Sequence, residues 1–488
     1  MAIRKTKKGR TVLNKGLKKQ KPGGGNPKSG YPANLIELDR KFLIHPLTHP
    51  KDLDKHPPKI IVEAQGVMMK DLEGNEIIDG FAGLWCMAVG HNHPKVIEAV
   101  HQQMKKLSYF TSFHGASSPP SILLAEKLAS LFNPSYNLTR SWFTCGGSET
   151  NETNLKMARL YWQLQGKAEK NKIVSRRFSY HGMGLATTAA TGIFPFHWNI
   201  DPLPSGFLQV AAPYCYQCEF DREYPGCDFE CIADLEQTIE SEGADTIAAF
   251  IAEPIIGSGG VIPPPPEYFP RIREICDEHN LLLILDEVIT GFGRTGKMFA
   301  LEHWGGIRPD MLSLAKGISS GHIPLGAAVM NAKIYETIGE LQDERLPLMH
   351  GFTYMNHPVT CAAGLANIQV IEEEGLVKKS AENGEYLLKG LNRLQRHRSV
   401  GDVRGMGMLA AIELVGDKEK RTPILPENSA PDLLVEECWK RGLYIRSSTM
   451  ETVCVAPALI MDRKMIDKML DIIDDAIPEM EKQLLQKS

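Results

Sequence analysis

Short apolar runs bounded by Gly, Pro and polar residues alternate along this chain with longer stretches whose apolar positions recur every three or four residues. The alternation is most regular from Arg140 to Met330. Arg140–Cys145, Lys172–Ser175, Thr246–Ala252, Leu281–Leu285, Met311–Ala315 and Gly326–Met330 read as short strands, and the most apolar of them as buried on both faces. Between them CGGSETNETNLKMARLYW opens a helix after a glycine turn, and Tyr268–Glu278 reads as another helix. Strand alternating with helix predicts a largely parallel sheet covered on both faces, an α/β fold.

The flanks read differently. Asn34–His49 is expected to be a helix. IIVEAQGVMMK and NEIIDG are expected to be two antiparallel strands. Pro94–Lys106, with Val96, Ile97, Val100 and Met104 at helical spacing, and Ser121–Phe132 are expected to be helices. After Pro358 a long helix carries Ala362, Ala366 and Ile371 on one face and continues through Leu387–Leu394. Strands Met408–Val415 and Val453–Pro457 and a closing helix from Lys464 follow. These segments predict a second, α+β domain.

Two polar residues interrupt the apolar pattern where a buried strand would exclude them. Asp286 ends the run Leu281–Leu285, and Lys316 follows the run Met311–Ala315. A buried carboxylate needs a cation or protein donors. A desolvated lysine has a lowered pKa and becomes a nucleophilic amine. An acid and a lysine at two strand ends fit a pyridoxal 5′-phosphate (PLP) site, the lysine holding the aldehyde and the acid partnering the pyridine nitrogen.

Other motifs join this pair. In CGGSETN, Gly147 and Ser148 lie where a strand turns into a helix, so the backbone can approach an anion at a helix N-terminus. Gly-Ser is also ordinary capping chemistry. SYHG places Tyr180 and His181 just past a strand, as a stacking ring or as a buried structural pair. Glu253 ends the run Thr246–Ala252 and would orient groups on one side of a bound ring, or simply cap a turn. Val288 shares a strand face with Asp286 and could pack under that ring or be a plain core valine. Phe352 and Thr353 follow Gly351, and the Thr hydroxyl could add a phosphate donor. Arg446 ends the strand-like GLYI and could take a carboxylate in bidentate fashion, or lie on the surface.

Composition and charge add limits. Ten of the 55 basic residues lie in residues 1–30, which hold no acid, so the remaining 458 residues carry a net charge of −14. That opening segment lacks the apolar core of a secretory signal and reads as a disordered basic arm. No apolar run approaches the ~18 residues of a membrane span. Ten cysteines in 488 residues suggest a reducing cytoplasm rather than a disulfide scaffold. Cys215, Cys218, Cys227 and Cys231 have the spacing C-x2-C-x8-C-x3-C, which a zinc ion could clip; reduced loop thiols are the alternative. No metal is assigned to the site itself.

The stretches LLLILDEVITGFGRTG and PDMLSLAKGISSGHIPLGA together resemble the signature of the class III aminotransferases, PLP enzymes of fold type I. The likeness covers about residues 34–480. GLWCMAVG, SYHG and RSSTMETVCVAPALI look like the ω-aminotransferases that use pyruvate, of the taurine, β-alanine and diamine types.

The resemblance implies roles. Lys316 attaches the cofactor and shuttles the proton, and Asp286 binds the pyridine nitrogen. Gly147 and Ser148 hold the phosphate, with Thr353 of a neighbouring subunit. Tyr180 and Val288 sandwich the ring, beside His181 and Glu253. Trp85, Phe113 and Phe352 line the substrate pocket, and Arg446 takes the acceptor's carboxylate. GGSETN departs from the family's usual SGSEAN, which leaves the anion site but puts its first hydroxyl in doubt.

Homodimers or tetramers with shared sites are implied, with small-molecule amine donors and keto-acid acceptors. The expected domains are an arm over 1–33, a large PLP-binding domain over 91–357, and a small domain built from 34–90 and 358–488. The alternatives are another PLP enzyme of this class (a 2-oxoglutarate-dependent aminotransferase, a mutase or a decarboxylase) or a binding protein that uses the basic arm. Nucleic-acid and membrane partners are not expected.

Overall fold

The structure is a computed structural model that describes residues 31–32, 34–305, 307–424, 429–448 and 451–487. The basic segment 1–30 and residue 33 lie outside the described residues. The chain divides into two compact units: one runs to residue 63 and adds 69–76, and the other takes 64–68 and everything from 77.

Helix Leu35–Phe42 is shorter than the sequence pattern suggests, because Leu43 leaves it in an extended conformation ahead of Pro46. The expected strand Ile60–Lys70 is instead two strands, Ile61–Gln65 and Met68–Asp71, since the chain turns at Gly66 with φ +60°.

The larger unit is built on a seven-stranded sheet. Its strands in chain order are β1 Leu138–Thr144, β2 Lys172–Arg176, β3 Phe207–Val210, β4 Ile247–Ala252, β5 Leu282–Asp286, β6 Met311–Leu314 and β7 Gly326–Asn331. They lie in the spatial order β1-β7-β6-β5-β4-β2-β3. Only β7 runs against its neighbours; the pairs β6–β5, β5–β4, β4–β2 and β2–β3 are parallel. Every residue of β4, β5 and β6 is buried. Fully burying such a Leu or Ile contributes roughly 1.5–3 kcal/mol, which explains the unbroken apolar runs. In this topology β1, β2, β4, β5 and β6 deliver their C-terminal ends to one edge, the place where open α/β sheets bind ligands.

A second sheet is antiparallel, in the order β8-β9-β11-β10, with β8 Val400–Met406, β9 Leu409–Leu414, β10 Arg446–Ser447 and β11 Thr452–Val455. The long helix expected after Pro358 is two helices, Pro358–Glu373 and Leu376–Asn392. Gly375 separates them in the left-handed region (φ +61°), a conformation few other residues adopt cheaply. Strands β3 and β8 and helix Ala430–Lys440 were not legible in the apolar pattern.

Candidate active site

Five strand ends surround a cavity of about 310 Å³. Beyond β1, Cys145 to Gly147 turn into helix Gly147–Leu164. Gly147 packs so tightly that a Cβ there would lie 2.9 Å from a Val288 methyl group. Gly182 is equally confined: a Cβ would lie 2.7 Å from the Ser148 hydroxyl, which accepts a hydrogen bond from Met183 N at 3.2 Å. Backbone, hydroxyl and helix N-terminus therefore form a close-walled anion cradle, and Val288 and Tyr180 line the same cavity.

Asp286 ends β5, buried, and among the described residues no lysine or arginine is bonded to it. Its Oδ2 accepts from Asn151 Nδ2 at 2.7 Å and pairs with His181 Nδ1 at 2.8 Å; its Oδ1 accepts from Val288 N at 3.1 Å. His181 is buried too, and among the described residues its Nε2 has no hydrogen-bond partner. Glu253, just past β4, accepts from Tyr180 N at 3.0 Å and Gly257 N at 2.8 Å. Burial, chiefly, holds its carboxyl above the usual range.

Lys316 follows β6 with φ +45°, a strained conformation for a residue with a side chain. Its Nζ lies 5.9 Å from the centre of the Trp85 ring. Burial lowers its pKa, opposed by the Cys86 thiol and by the Asp286 and Glu253 carboxyls. An amine with a lowered pKa can act as a nucleophile or general base near neutrality.

The other candidate residues are spread more widely. Trp85 is buried beneath Lys316, in a segment where Ala82 and Trp85 take positive φ. The charge of Arg446 on β10 is felt at Tyr180 and Lys316. Phe113 does not line this cavity; it lines a separate cavity of about 600 Å³ together with His350 and Gly351. Phe352 packs edge-on against His350, and the Thr353 carbonyl accepts from the Tyr109 hydroxyl at 2.8 Å. Neither Phe352 nor Thr353 lines the first cavity in a single chain.

Sequence reasoning missed several groups. Asn151 ties Asp286 to the His181 carbonyl, with Nδ2–O 2.8 Å. Its place one turn into the helix, on the side of Gly147, is the signal that could have found it. Arg176 is fully buried and donates to the Glu253 carbonyl. Glu287 is also fully buried, and accepts from Ala300 N at 2.9 Å and Leu301 N at 2.7 Å. Burial pushes its pKa up to about 7. As for the four-cysteine loop, all four thiols are free. Among the described residues, no group of three or more His, Cys, Asp or Glu is arranged to hold a metal ion.

Known proteins resemble this chain in sequence and in fold. Residues 51–477 match the family Aminotransferase class-III. The chain is 38% identical over 437 residues to a putrescine–pyruvate aminotransferase of Pseudomonas aeruginosa, covering 89% of this chain and 94% of that one. It is 36% identical over 451 residues to a diaminobutyrate–2-oxoglutarate transaminase of Halomonas elongata, covering 91% and 96%. The solved ω-transaminase of Pseudomonas jessenii in complex with PMP superposes with a TM-score of 0.88 at 35% identity, covering 92% of this chain and 99% of that one.

The residues present fit the family's cofactor. A tight glycine-walled cradle suits a phosphate. A buried carboxylate held by Asn, His and backbone partners suits a protonated ring nitrogen, and a lysine of lowered pKa suits an aldehyde. With cradle, acid and amine brought to one sheet edge, and the family matched over most of its length, this chain belongs to the class III aminotransferases, which are PLP-dependent.

Proposed function

We propose that this chain is an ω-aminotransferase that moves an amino group from an amine or ω-amino acid to a keto acid, with pyruvate as the acceptor. The observation that carries this reading is the opposition of the Lys316 amine and the Asp286 carboxylate, on adjacent parallel strands β6 and β5 at one edge of the sheet.

In this reading Gly147 and Ser148 hold the phosphate of PLP, and Val288 and Tyr180 flank its ring. Asp286 Oδ keeps a proton on the ring nitrogen, with Asn151 and His181 fixing the carboxylate's orientation. When bound, PLP supplies the electron sink for the pair released from the substrate carbon. Lys316 Nζ would take the proton from the carbon bearing the amine and hand it on within the same half-reaction, and would run that transfer in reverse to put a proton on the keto acid's carbonyl carbon. Trp85 and the buried Glu253 exclude water beside it.

Arg446 takes the acceptor's carboxylate. Its charge is felt at Tyr180 and Lys316, beside the cavity. A single guanidinium assigned to the acceptor suits a monocarboxylate, and the putrescine–pyruvate relative supports that choice. The 2-oxoglutarate reading is favoured by the second relative.

Phe113, Phe352 and Thr353 complete the pocket from a second copy, so the working unit is a homodimer. The exposed Tyr354 and Met349 beside them support this. Residues 91–357 form the cofactor-holding domain, and 34–90 with 358–488 the smaller one. The free cysteines support a cytoplasmic location, and no helix among the described residues is long and apolar enough to cross a membrane.

The test is to mix the PLP-loaded enzyme with amine alone, look for pyridoxamine phosphate, and then titrate with pyruvate or 2-oxoglutarate. Failure to form pyridoxamine phosphate with any amine would exclude transamination. Faster return with 2-oxoglutarate would reverse the acceptor assignment.

A further inference from the structure

Apart from the pocket, the second sheet holds a buried cluster of charges that the reaction does not explain. Glu413 on β9 is 2% exposed. It is bonded by the Arg404 guanidinium of β8, by the Tyr214 hydroxyl and, at 2.8 Å, by Gln217 Nε2. Burial holds the Tyr214 phenol well above its ordinary range, so it stays a donor to that carboxylate. Arg404 also reaches Asp402 at 2.9 Å. Its remaining donors all go to backbone carbonyls of one loop: Nε and Nη2 to Gly260 O at 3.0 and 2.7 Å, and Nε to Val261 O at 3.0 Å. A buried ion cluster is weak evidence for stability alone, because desolvation offsets its attraction. What this cluster does specifically is point a rigid fork at residues 257–262.

That loop joins two parts of the site. At its start, Gly257 N donates to Glu253, whose other oxygen accepts from Tyr180 N. At its centre, a Cβ on Gly259 would lie 2.1 Å from the Phe178 carbonyl, two residues before Tyr180. On its other side, Ser448 Oγ donates to Ser258 O at 2.8 Å. Ser448 is two residues past Arg446, on the strand that pairs with β11, Arg446 opposite Cys454. Strand β11 in turn pairs with β9, Thr452 opposite Glu413, and a Cβ on Gly260 would lie 3.2 Å from the Thr452 hydroxyl. The charge cluster thus grips the loop against which the short Arg446 strand is seated.

We infer that Arg404, held in place by Glu413 and Tyr214, is a positioning residue that sets where Arg446 presents its guanidinium to the acceptor's carboxylate. This rests on the reading of Arg446 given above. Strand β10 has only two residues and one paired neighbour; Ser447 Oγ donates to Asp432 at 2.6 Å, and the Ser448–Ser258 contact is the bond that ties this strand to the loop. Loosening loop 257–262 weakens acceptor binding while leaving the amine half-reaction, which needs no carboxylate contact when the donor is a simple amine.

The experiment uses the PLP-loaded enzyme. Arg404→Lys keeps the positive charge near Glu413 but loses the planar fork to Gly260 and Val261. We expect the KM for the keto acid to rise about fivefold to tenfold, with the rate of the half-reaction with a simple amine within about twofold of the parent. Tyr214→Phe, which removes one hydroxyl and no charge, shifts KM in the same sense by less and serves if the lysine variant folds poorly. An Arg446→Gln enzyme sets the ceiling, and adding Arg404→Lys to it causes no further rise in KM, since both changes act on one contact. An unchanged keto-acid KM in Arg446→Gln overturns the reading of Arg446 and the inference with it. A raised KM there, with Arg404→Lys and Tyr214→Phe either unaffected or slowed equally in both half-reactions, overturns the inference alone.

Discussion

The sheet edge that carries Asp286 and Lys316 and the segment that carries Phe352 and Thr353 are built on opposite terms. At the sheet edge each carboxylate is buried and fully bonded, and the strands below it are closed to water. Around Phe352 the chain has no regular element, and Met349 and Tyr354 are exposed at 81% and 58%. The first region needs only its own chain to take its shape. The second carries apolar side chains that a single chain leaves in water, which is how a surface awaiting a partner looks. In the proposed reading, proton transfer falls to the sheet edge, whereas pocket shape and part of the phosphate contact fall to the exposed segment with a second copy.

Changes in the rigid region should be the most damaging. Lys316→Ala should lower turnover by about 10³-fold or more, the upper part of the range for removing a general base. Steady-state assays with amine and keto acid would check it, and near-parent turnover would take the proton away from this lysine. Asp286→Asn keeps the shape but removes the charge that, in the proposed reading, faces the ring nitrogen. It should cost on the order of 10²-fold in kcat, the scale of one preorganised electrostatic contact. A pH–rate profile unchanged in both height and position would count against that role.

The buried Glu287 offers a test by pH. Its pKa is raised to about 7 in the folded chain, so the folded state prefers the protonated acid. Its contribution is therefore fully present below the ordinary carboxylate pKa and is lost as pH rises through about 7. Urea denaturation between pH 5 and 8 should show a decline of the order of 2 kcal/mol from this group, and Glu287→Gln should flatten it. An equal decline in the variant would show that another group is responsible.

The smallest effect belongs to the exposed segment. Thr353→Ala should weaken PLP affinity by about tenfold, the scale of one hydrogen bond to a charged group, and leave kcat nearly unchanged at saturating PLP. Measuring affinity across protein concentrations sharpens the contrast. The effect of Thr353→Ala should fade at concentrations where the parent is itself dissociated, whereas that of Asp286→Asn should not.

The pair at the centre of the site was legible because it broke a pattern. Asp286 and Lys316 stand at the ends of unbroken apolar runs, and a charge there is too costly to be incidental. The glycine turn at Gly147 announced itself in the same way. Asn151 and Glu287 were not legible, since an Asn in a helix or a second acid after Asp286 looks like any exposed polar residue until its burial is known. The helix expected to run unbroken from Pro358 failed at Gly375, because a glycine in a helical pattern is tolerated or terminating depending on the φ it must adopt.

Local order along the chain determined the alternating strands and helices, the parallel sheet, and which two charged side chains stand at the ends of buried strands. Burial preferences and glycine conformations act over a few residues and can be read there. Tertiary structure alone decided that five strand ends face one cavity, that Asn151 and His181 grip Asp286 while Phe113 and Phe352 stand elsewhere, and that Arg404 reaches across to Gly260. Those contacts join residues up to 144 positions apart, and their geometry follows from how sheets and helices pack, which no local pattern encodes.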